Sequence, residues 1–550
     1  MKLTMKRSIA TLVAGVLIIG SFAGCGSKTA DDKGATSNAT ERTQVDASKS
    51  VYPISKKVTL KYWAPLNSNV SPIAKNLGDT PLGKELEKRT GVKLEFLHPA
   101  VGQDKEVFNL LIASGDLPDL VEFDILNSYP GGPENAIGQG NIIKLNDTID
   151  KYAPNLKKLL SENPIWDKTV KTDSGSYYQF PFIRGDDVLR VYFGPIIRKD
   201  WLDELGMQVP TTIDEWYTVL KAFKEKKNAE APLAFQGSPF HTFNNEINGN
   251  AVFAGAFGVR GGFYNESGEI KFGPIQPGYK EYLKTLRKWY SEGLLDKNFA
   301  SVDGKALDAS MTGGKAGASA KSSGSWLGKW MNAMKDKDPK YNLVAAPYPT
   351  LKKGDKPKFG QLDNIFNSGH SVAITTKCKE VEIAARFLDY GYSKEGAMLY
   401  NFGIEGESYK MENGAPKYTD LVLNNPDKLP LGQAMAKYMR SIYGGPFIQN
   451  KDYITQYMQL PQQKEAIKVW SGTDAVKHVL PQITPTSEES SQYAKVMNDV
   501  NTYVDEMFVK FVMGIEPIES FDKYVEQVKK LNIEKAISIN KAALDRFNKR

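Results

Sequence analysis

Val58-Thr-Leu-Lys-Tyr-Trp63 opens a stretch of the chain in which short apolar segments alternate with helical patterns. Two further segments, Val92-Lys-Leu-Glu-Phe96 and Leu120-Val-Glu-Phe123, are apolar in the way that β-strands are. Between these segments, Pro81–Thr90 and residues 105–113 carry apolar residues at helical spacing. Strands that alternate with helices form a parallel sheet with helices on its faces, so this stretch predicts an α/β fold.

The ends of these strands point to a binding region. In open α/β sheets, ligands bind beyond the carboxyl ends of the strands. The polar loop Trp63-Ala-Pro-Leu-Asn-Ser-Asn69 follows the first strand, and Asp124 follows the third. We therefore expect the loop and Asp124 to lie near a site.

Size and charge exclude several classes of protein. A chain of 550 residues is too long for one ordinary core and predicts at least two lobes. After the N-terminal segment, no stretch is apolar over the roughly 20 residues that span a bilayer, which argues against a permease. The net charge of +7 arises from 71 basic and 64 acidic residues that are interspersed, so we expect no nucleic-acid partner.

The first 25 residues predict a signal for export. Lys2, Lys6 and Arg7 precede an apolar run over residues 9–22, which is too short for a membrane span but suits a signal-peptide core. The run leads into Ala23-Gly24-Cys25, which resembles a bacterial lipobox, whose cysteine becomes diacylated and then forms the mature N-terminus. An ordinary secretory signal with a chance cysteine is the alternative.

Residues 26–50 predict a flexible tether, because they contain no aromatic residue and are rich in small polar ones. Together with the lipoprotein signal peptide at 1–25, this tether places the folded body on the extracellular face of the cell membrane. Acyl groups such as palmitate on Cys25 would hold it to the lipid bilayer. Cys378 then has no partner for an intrachain disulfide.

Enzyme signatures are scarce in this chain. The four histidines form no HExxH pair or close cluster, so metal or histidine-base catalysis has little to build on. Gly313-Gly-Lys-Ala316 lacks the first glycine and the final Ser/Thr of a phosphate loop. We expect no enzyme, metal or cofactor, although a pair of catalytic carboxylates stays open among 64 acidic residues.

The segment Arg198-Lys-Asp-Trp-Leu-Asp-Glu-Leu-Gly-Met-Gln-Val-Pro-Thr-Thr-Ile-Asp-Glu-Trp-Tyr217 predicts a well-capped helix. Thr212 and Glu215 can form a capping box, in which the hydroxyl binds the Glu215 amide and the carboxylate binds the Thr212 amide. Trp216 and Phe223 follow at helical spacing. The segment resembles the W-L-x-x-L-G-x-x-x-P-T-T-x-D-E-W pattern of family 1 extracellular solute-binding proteins, the carbohydrate receptors of ABC importers.

The resemblance continues over nearly the whole mature chain. Tyr177-Tyr-Gln-Phe-Pro-Phe182 resembles the hinge strand where the chain of these proteins first crosses between lobes. The further segments that match in order are 111–121, 384–396, 402–409, 503–514 and 543–547.

This resemblance implies an α/β, two-lobed fold like that of type II periplasmic binding proteins, with discontinuous lobes joined by a multi-strand hinge. Lobe 1 would hold residues 51–183 and 366–450, and lobe 2 would hold residues 184–365 and 451–550. It also implies a membrane-anchored, monomeric receptor that binds an oligosaccharide in the inter-lobe cleft and delivers it to the permease subunits of an ABC importer. Two alternatives stay open: an extracellular glycan-cleaving enzyme with paired carboxylates, and a lipoprotein receptor for peptides or another solute.

One departure from the family concerns calcium. Many larger members carry a calcium loop of the type D-x-N-G-x-G-K-x-D-E-I-P soon after the capped helix. Here residues 224–233 read Lys-Glu-Lys-Lys-Asn-Ala-Glu-Ala-Pro-Leu, without the oxygen ligands at alternate positions that Ca²⁺ requires. We expect no structural calcium.

Aromatic residues make up 11% of the chain and suit a saccharide ligand, because the apolar face of a sugar ring packs on an aromatic ring. Trp201, Trp216 and Trp289 sit in helical patterns and are expected in the core. An Arg184 fork could hold an acidic sugar or pair with Asp186 or Asp187. The candidate ligand-binding residues lie in loops at strand ends and at the hinge, and each could instead be a core or rim residue: Trp63, Asn67, Asn69, Asp124, Phe182, Arg184, Trp326, Tyr348, Glu405, Tyr409 and Trp470.

Overall fold

The computed structural model describes residues 51–237 and 249–550. Within these residues the chain forms strands that group into two main sheets and two hairpins. The strands are β1 (Val58–Trp63), β2 (Val92–Leu97), β3 (Leu120–Glu122), β4 (Phe180–Arg184), β5 (Phe193–Arg198), β6 (Phe263–Glu266), β7 (Glu269–Phe272), β8 (Ala318–Ser322), β9 (Leu343–Ala345), β10 (Phe366–Ile374), β11 (Tyr409–Glu412), β12 (Ala415–Tyr418) and β13 (Ile448–Gln449).

Helices surround both sheets. The α-helices of the described residues are α1 (Pro81–Thr90), α2 (Asp104–Ser114), α3 (Ile125–Ser128), α4 (Gly132–Gly138), α5 (Asn146–Tyr152), α6 (Pro154–Glu162), α7 (Pro164–Val170), α8 (Lys199–Glu204), α9 (Ile213–Lys227), α10 (Pro277–Ser291), α11 (Gly304–Thr312), α12 (Gly328–Met334), α13 (Val381–Asp389), α14 (Lys394–Phe402), α15 (Asp420–Leu423), α16 (Leu431–Tyr438), α17 (Asp452–Tyr457), α18 (Pro461–Ser471), α19 (Ser487–Met513), α20 (Phe521–Lys530) and α21 (Ile533–Lys549).

The first sheet contains the predicted strand–helix alternation. β1 lies between β2 and β3 and pairs in parallel with both, which confirms the parallel arrangement. Helix α1 has the predicted bounds and ends at Gly91, whose φ of 74° lies in the left-handed region that glycine adopts most readily. Helix α2 is one residue longer at each end than predicted.

The rest of the first sheet comes from distant parts of the chain. Its order is β13-β4-β10-β3-β1-β2. β10 is antiparallel to both β3 and β4, whereas β13 is parallel to β4. The sheet is therefore mixed and joins two separate stretches of the sequence, residues 58–184 and 366–449.

The second sheet has the order β8-β5-β9, and both of its strand pairs are antiparallel. Helix α9 follows with the predicted cap, since the Glu215 amide donates to the Thr212 hydroxyl at 3.2 Å. The Glu215 carboxylate accepts from the backbone amide of Thr211 at 2.7 Å, one residue earlier than predicted. Partial burial opposes ionisation, but hydrogen bonds from Thr211 and Lys353 lower the pKa of Glu215 to about 2.

Each sheet has its own hydrophobic core. The core of the first sheet draws on residues 60–183 and 366–443, and that of the second on residues 191–348 and 466–536. Trp201, Trp216 and Trp289 are buried in the second core, as their helical patterns predict. The fold is thus α/β with two lobes.

The chain passes between the two sheets in three segments. Residues 185–192 lead from β4 to β5, residues 346–365 lead from β9 to β10, and residues 450–460 lead from β13 to α18. In the part of the chain that the structure describes, none of the helices has the length and apolar character needed to cross a bilayer.

Candidate functional site

A cavity of about 260 Å³ lies where both sheets contribute to one surface. β4, β10 and β13 supply residues from the first sheet, and the turn after β8 supplies residues from the second. Loop 441–444 and helix α17 complete the lining. The lining residues are Asn69, Phe182, Arg184, Leu189, Tyr192, Ser322, Gly324, Ser325, Asn367, His370, Ser441, Ile442, Tyr443, Gly444, Gln449, Tyr453, Ile454, Tyr457 and Met458.

Strand register brings the polar groups of the first sheet together. Arg184 on β4 lies opposite Gln449 on β13, and Phe182 lies opposite Asn367 on β10. The register of β10 shifts after Asn367, so His370 falls in an irregular part of the strand. Such irregularities re-aim side chains, and this one adds His370 to the cavity lining.

A glycine allows the turn beside His370 to approach closely. Gly444 has a φ of +88°, and a Cβ atom there would lie 2.7 Å from the side chain of His370. A larger residue would be strained in its backbone and would also collide with the imidazole ring. The turn therefore depends on glycine at this position.

The lining residues include aromatic rings and buried polar atoms that lack a hydrogen-bond partner. Among the described residues, no partner binds the Arg184 Nε, the Tyr443 hydroxyl or the Gln449 Oε1. Five lining residues are aromatic: Phe182, Tyr192, Tyr443, Tyr453 and Tyr457. A ligand with apolar C–H faces and several hydroxyl groups matches both kinds of surface.

Arg184 is held by a carboxylate that the sequence did not point to. Its guanidinium Nη2 pairs with Asp363, and its side chain is 12% exposed. Asp186 and Asp187, the partners considered from the sequence, bind Lys451 and Arg190 instead. The charge of Arg184 is therefore neutralised within the protein.

His370 is uncharged at neutral pH. Burial, assisted by the positive charges of Arg440 and Arg184, lowers the pKa of His370 to about 4, although Glu122 and Asp124 act in the opposite direction. A neutral imidazole offers one donor and one acceptor, which suits a hydroxyl group.

A buried ion pair supports the wall of the cavity. Arg440 pairs with Glu122, and each side chain is 6% exposed. The Tyr62 hydroxyl donates to the same carboxylate at 2.7 Å, and Arg440 Nε donates to the Gly444 carbonyl oxygen at 2.7 Å. These bonds join loop 441–444 to the centre of the first sheet.

The candidate residues named from the sequence divide into four groups. Asn69, Phe182 and Arg184 line the cavity. Asp124 and Asn67 lie beside lining residues without lining the cavity themselves. Asp124 caps α3 and accepts from the Ser368 hydroxyl at 2.6 Å, and Asn67 Oδ1 accepts from the Asn69 amide at 2.9 Å.

Three aromatic candidates lie in the cores, which corrects the expectation that they face the cleft. Trp63 is 3% exposed, and its ring meets that of Phe123 at 5.4 Å. Tyr348 donates its hydroxyl to the Phe193 carbonyl at 2.8 Å, and Trp470 donates its indole N–H to the Ala346 carbonyl at 3.1 Å. All three fill space between packed elements, and the polar atoms of Tyr348 and Trp470 are satisfied by backbone groups.

The remaining candidates also lie outside the cavity lining. Tyr409 is buried, and its hydroxyl is 3.4 Å from Glu405 at the β11–β12 hairpin. Trp326 is half-buried against Trp330, and the Lys321 ammonium lies 4.5 Å from its ring centre. Because Trp63 is enclosed by its own core, Trp63 and Trp326 cannot hold a sugar between them when the lobes close.

Sequence reasoning missed most of the lining. Asn367, His370, Gln449 and Tyr457 belong to segments for which no motif was identified. One signal was present, since Ser441-Ile-Tyr-Gly-Gly-Pro446 contains the Gly-Gly and Gly-Pro pairs that mark turns. Turn residues that join buried strands are frequent binding residues.

Residues 224–233, where many larger family members carry a calcium loop, contain an ordinary helix end. Helix α9 ends at Lys227, and the Lys224 ammonium donates to the backbone carbonyl of Glu292. Across residues 51–237 and 249–550, no three His, Cys, Asp or Glu side chains cluster as metal ligands. The expectation that the protein needs no calcium stays a prediction.

Two lobes with a cavity lined from both define a ligand-binding protein. The chain belongs to the family of bacterial extracellular solute-binding proteins, whose family model matches residues 50–398. This match confirms the family expected from the capped-helix segment.

Known relatives extend the match to almost the full length. The fructooligosaccharide ABC transporter substrate-binding protein FusA of Streptococcus pneumoniae is 26% identical over 99% of this chain and 98% of its own. The lipoprotein LipO of Bacillus subtilis is 26% identical over 86% of this chain and 90% of its own. The polygalacturonan/rhamnogalacturonan-binding protein YtcQ of B. subtilis is 26% identical over 81% of this chain and 84% of its own.

Solved structures confirm the fold class. The alginate-binding protein AlgQ2, solved without calcium ion, has a TM-score of 0.73 and 27% identity, and the match covers 90% of this chain and all of that one. S. pneumoniae FusA in complex with kestose has a TM-score of 0.72 and 24% identity, covering 89% of this chain and 99% of FusA.

Proposed function

We propose that this protein is the extracellular receptor of an ABC importer, that it binds an oligosaccharide in the cavity between its sheets, and that it delivers this sugar to the permease. The observation that carries the proposal is the lining, in which five aromatic residues lie among uncharged hydrogen-bonding side chains and Arg184, whose charge Asp363 neutralises. The relatives support the ligand class, because FusA and YtcQ are named for the saccharides they bind.

The receptor binds its ligand without covalent chemistry. The cavity lining contains no aspartate or glutamate among the described residues, so the carboxylate pair that glycan cleavage requires is missing from this surface. The alternative function, glycan cleavage, would require a pair of carboxylates outside this cavity.

The whole protein is a monomer held to the cell membrane by acyl groups on Cys25, with residues 26–50 as the tether. Its lobes comprise residues 51–183 with 366–450 and residues 184–365 with 451–550. Ligand contacts to both lobes favour the closed state over the open one. Anchoring beside the permease raises the local concentration of the loaded receptor.

A thermal-shift screen with a panel of oligosaccharides tests the proposal. We expect at least one saccharide to raise the melting temperature and to be recovered at its original length, because ligand bound only to the folded state stabilises it. Recovery of shortened sugar would identify an enzyme. Stabilisation by peptides and by none of the saccharides would identify a receptor of another class.

A further inference from the structure

We propose that the cavity selects neutral over acidic saccharides, and that Asp363 sets this preference by neutralising Arg184. The inference rests on the proposed function and specifies its substrate class. It concerns a charge pair that lies at the point where the chain passes between the two sheets.

Arg184 is the group on which the preference depends. Of the side chains that the structure places on the cavity lining, Arg184 alone is charged, since His370 is neutral at physiological pH. A free guanidinium binds a sugar carboxylate through two parallel hydrogen bonds. Here Nη2 is already engaged by Asp363, and an arriving carboxylate would meet a like charge beside the cation.

Asp363 is held in place by several bonds of its own. Gln361 Nε2 donates to its Oδ1 at 2.9 Å. Its backbone amide donates to the Arg190 carbonyl at 2.9 Å, and its carbonyl accepts from Arg190 Nε at 2.7 Å. These contacts fix both its backbone and its side chain, so the carboxylate is not free to leave Arg184 when a ligand enters.

The lysines that neighbour lining residues in sequence are engaged elsewhere. Lys321 precedes Ser322 on β8, where successive side chains face opposite sides. Its ammonium donates to Gln236. Lys451, between Gln449 and Tyr453, pairs with Asp186. The surface offered to the ligand is therefore electrically neutral, and hydroxyl groups rather than carboxylates match it.

Calorimetric titrations at low ionic strength test the preference of the unaltered protein. The probes are kestose and other neutral trisaccharides, trigalacturonate, and the carboxyl-reduced form of trigalacturonate. We expect the tightest neutral probe to bind at least roughly tenfold more tightly than trigalacturonate. Tighter binding of trigalacturonate would overturn this inference and leave the proposed function standing. Failure of every probe to bind would overturn both.

Variants test the role of the charge pair. D363N keeps the Oδ1 acceptor for Gln361 but frees Arg184, so we expect trigalacturonate to gain roughly tenfold in affinity relative to the neutral probe. D545N removes the same charge from an aspartate that pairs with Lys541 on α21, which contributes no residue to the cavity lining, and it should change neither affinity.

Two further variants keep the test decisive even if D363N folds poorly. R184Q leaves the charge of Asp363 uncompensated, so the ratio of the affinity for the neutral probe to that for trigalacturonate should rise further. The double variant R184Q/D363N should not show the increase in affinity for trigalacturonate that D363N shows. An unchanged ratio in all folded variants would show that the pair does not set the preference.

Discussion

At the scale of single residues, Glu122 and Arg440 contribute to the stability of the fold, because their charges are buried together beneath loop 441–444. Removing one member of such a pair leaves the other charge uncompensated in the interior. We expect Glu122→Ala to lower the free energy of unfolding by about 3–5 kcal/mol, measured by denaturant melts. The change also removes the acceptor of the Tyr62 hydroxyl.

A matched control is the solvent-exposed pair Glu506–Lys510 on α19. Glu506→Ala should cost no more than about 1 kcal/mol, because exposed pairs contribute little. Equal losses in the two variants would show that the Glu122–Arg440 pair does not stabilise the fold as a buried pair does.

His370 makes stability depend on pH. Its folded-state pKa of about 4 lies below the ordinary value near 6.5, so the unfolded chain binds the proton first as the pH falls. The stabilising contribution is present above pH 6.5 and is lost progressively towards pH 4, with a slope of up to about 1.4 kcal/mol per pH unit. His370→Gln should flatten the pH dependence in this window, as measured by denaturant melts at several pH values. A slope equal to that of the unaltered protein would contradict the assignment.

A pair of Tyr→Phe changes separates ligand contact from folding. Tyr443 lines the cavity, and its buried hydroxyl has no partner among the described residues, whereas the Tyr348 hydroxyl bonds Phe193 and Gln361 in the core. Tyr443→Phe should weaken saccharide binding by about 0.5–1.5 kcal/mol and leave stability nearly unchanged. Tyr348→Phe should lower the free energy of unfolding by about 1–3 kcal/mol and leave the affinity for saccharide unchanged. Titrations and denaturant melts measure the two effects. If Tyr443→Phe lost stability and Tyr348→Phe lost affinity, Tyr348 would be the ligand contact and Tyr443 the core residue.

At the scale of elements, the local patterns were predictable and the long-range pairings were not. β1, α1 and β2 follow from alternation and helical spacing within the stretch itself, and Gly91 marks the helix end. β13 has only two residues and exists because it pairs with β4, which lies far away in sequence. No local pattern could indicate such a strand.

The candidate site was only partly predictable for the same reason. Asn69 and Arg184 were recognised because they follow or end predicted strands, whereas Asn367 and Gln449 reach the cavity through pairing across the sheet. The aromatic content of the sequence suggested the class of ligand, but the positions of the tryptophans did not predict which residues line the cavity. Trp470 is fully buried, since large rings fill cores more often than they face ligands.

The turn after β8 provides a prediction about an element. Ser323–Leu327 forms a π-helix, and a Cβ atom on Gly324 would lie 2.5 Å from the Tyr457 ring. Gly324→Ala should therefore displace the ring or the turn and weaken saccharide binding about tenfold or more, as measured by titration. Gly138→Ala, where a Cβ meets nothing within 4 Å, is the control and should leave affinity unchanged. Full affinity in Gly324→Ala would show that this contact does not shape the cavity.

At the scale of the whole molecule, two cores of discontinuous segments and three connecting segments agree with the family that residues 198–217 indicated. The cavity takes side chains from β4 and β10 on one side and from the turn after β8 on the other. A ligand that touches both surfaces gains contacts when the lobes approach each other. Binding should therefore favour a more closed shape.

Small-angle X-ray scattering tests this central claim most directly. The radius of gyration of the same chain is measured without ligand and with the saturating oligosaccharide that the thermal-shift screen identifies. The account predicts a smaller radius with the oligosaccharide and recovery of the original radius after its removal. An unchanged radius at saturation would contradict ligand-coupled closure of the two lobes.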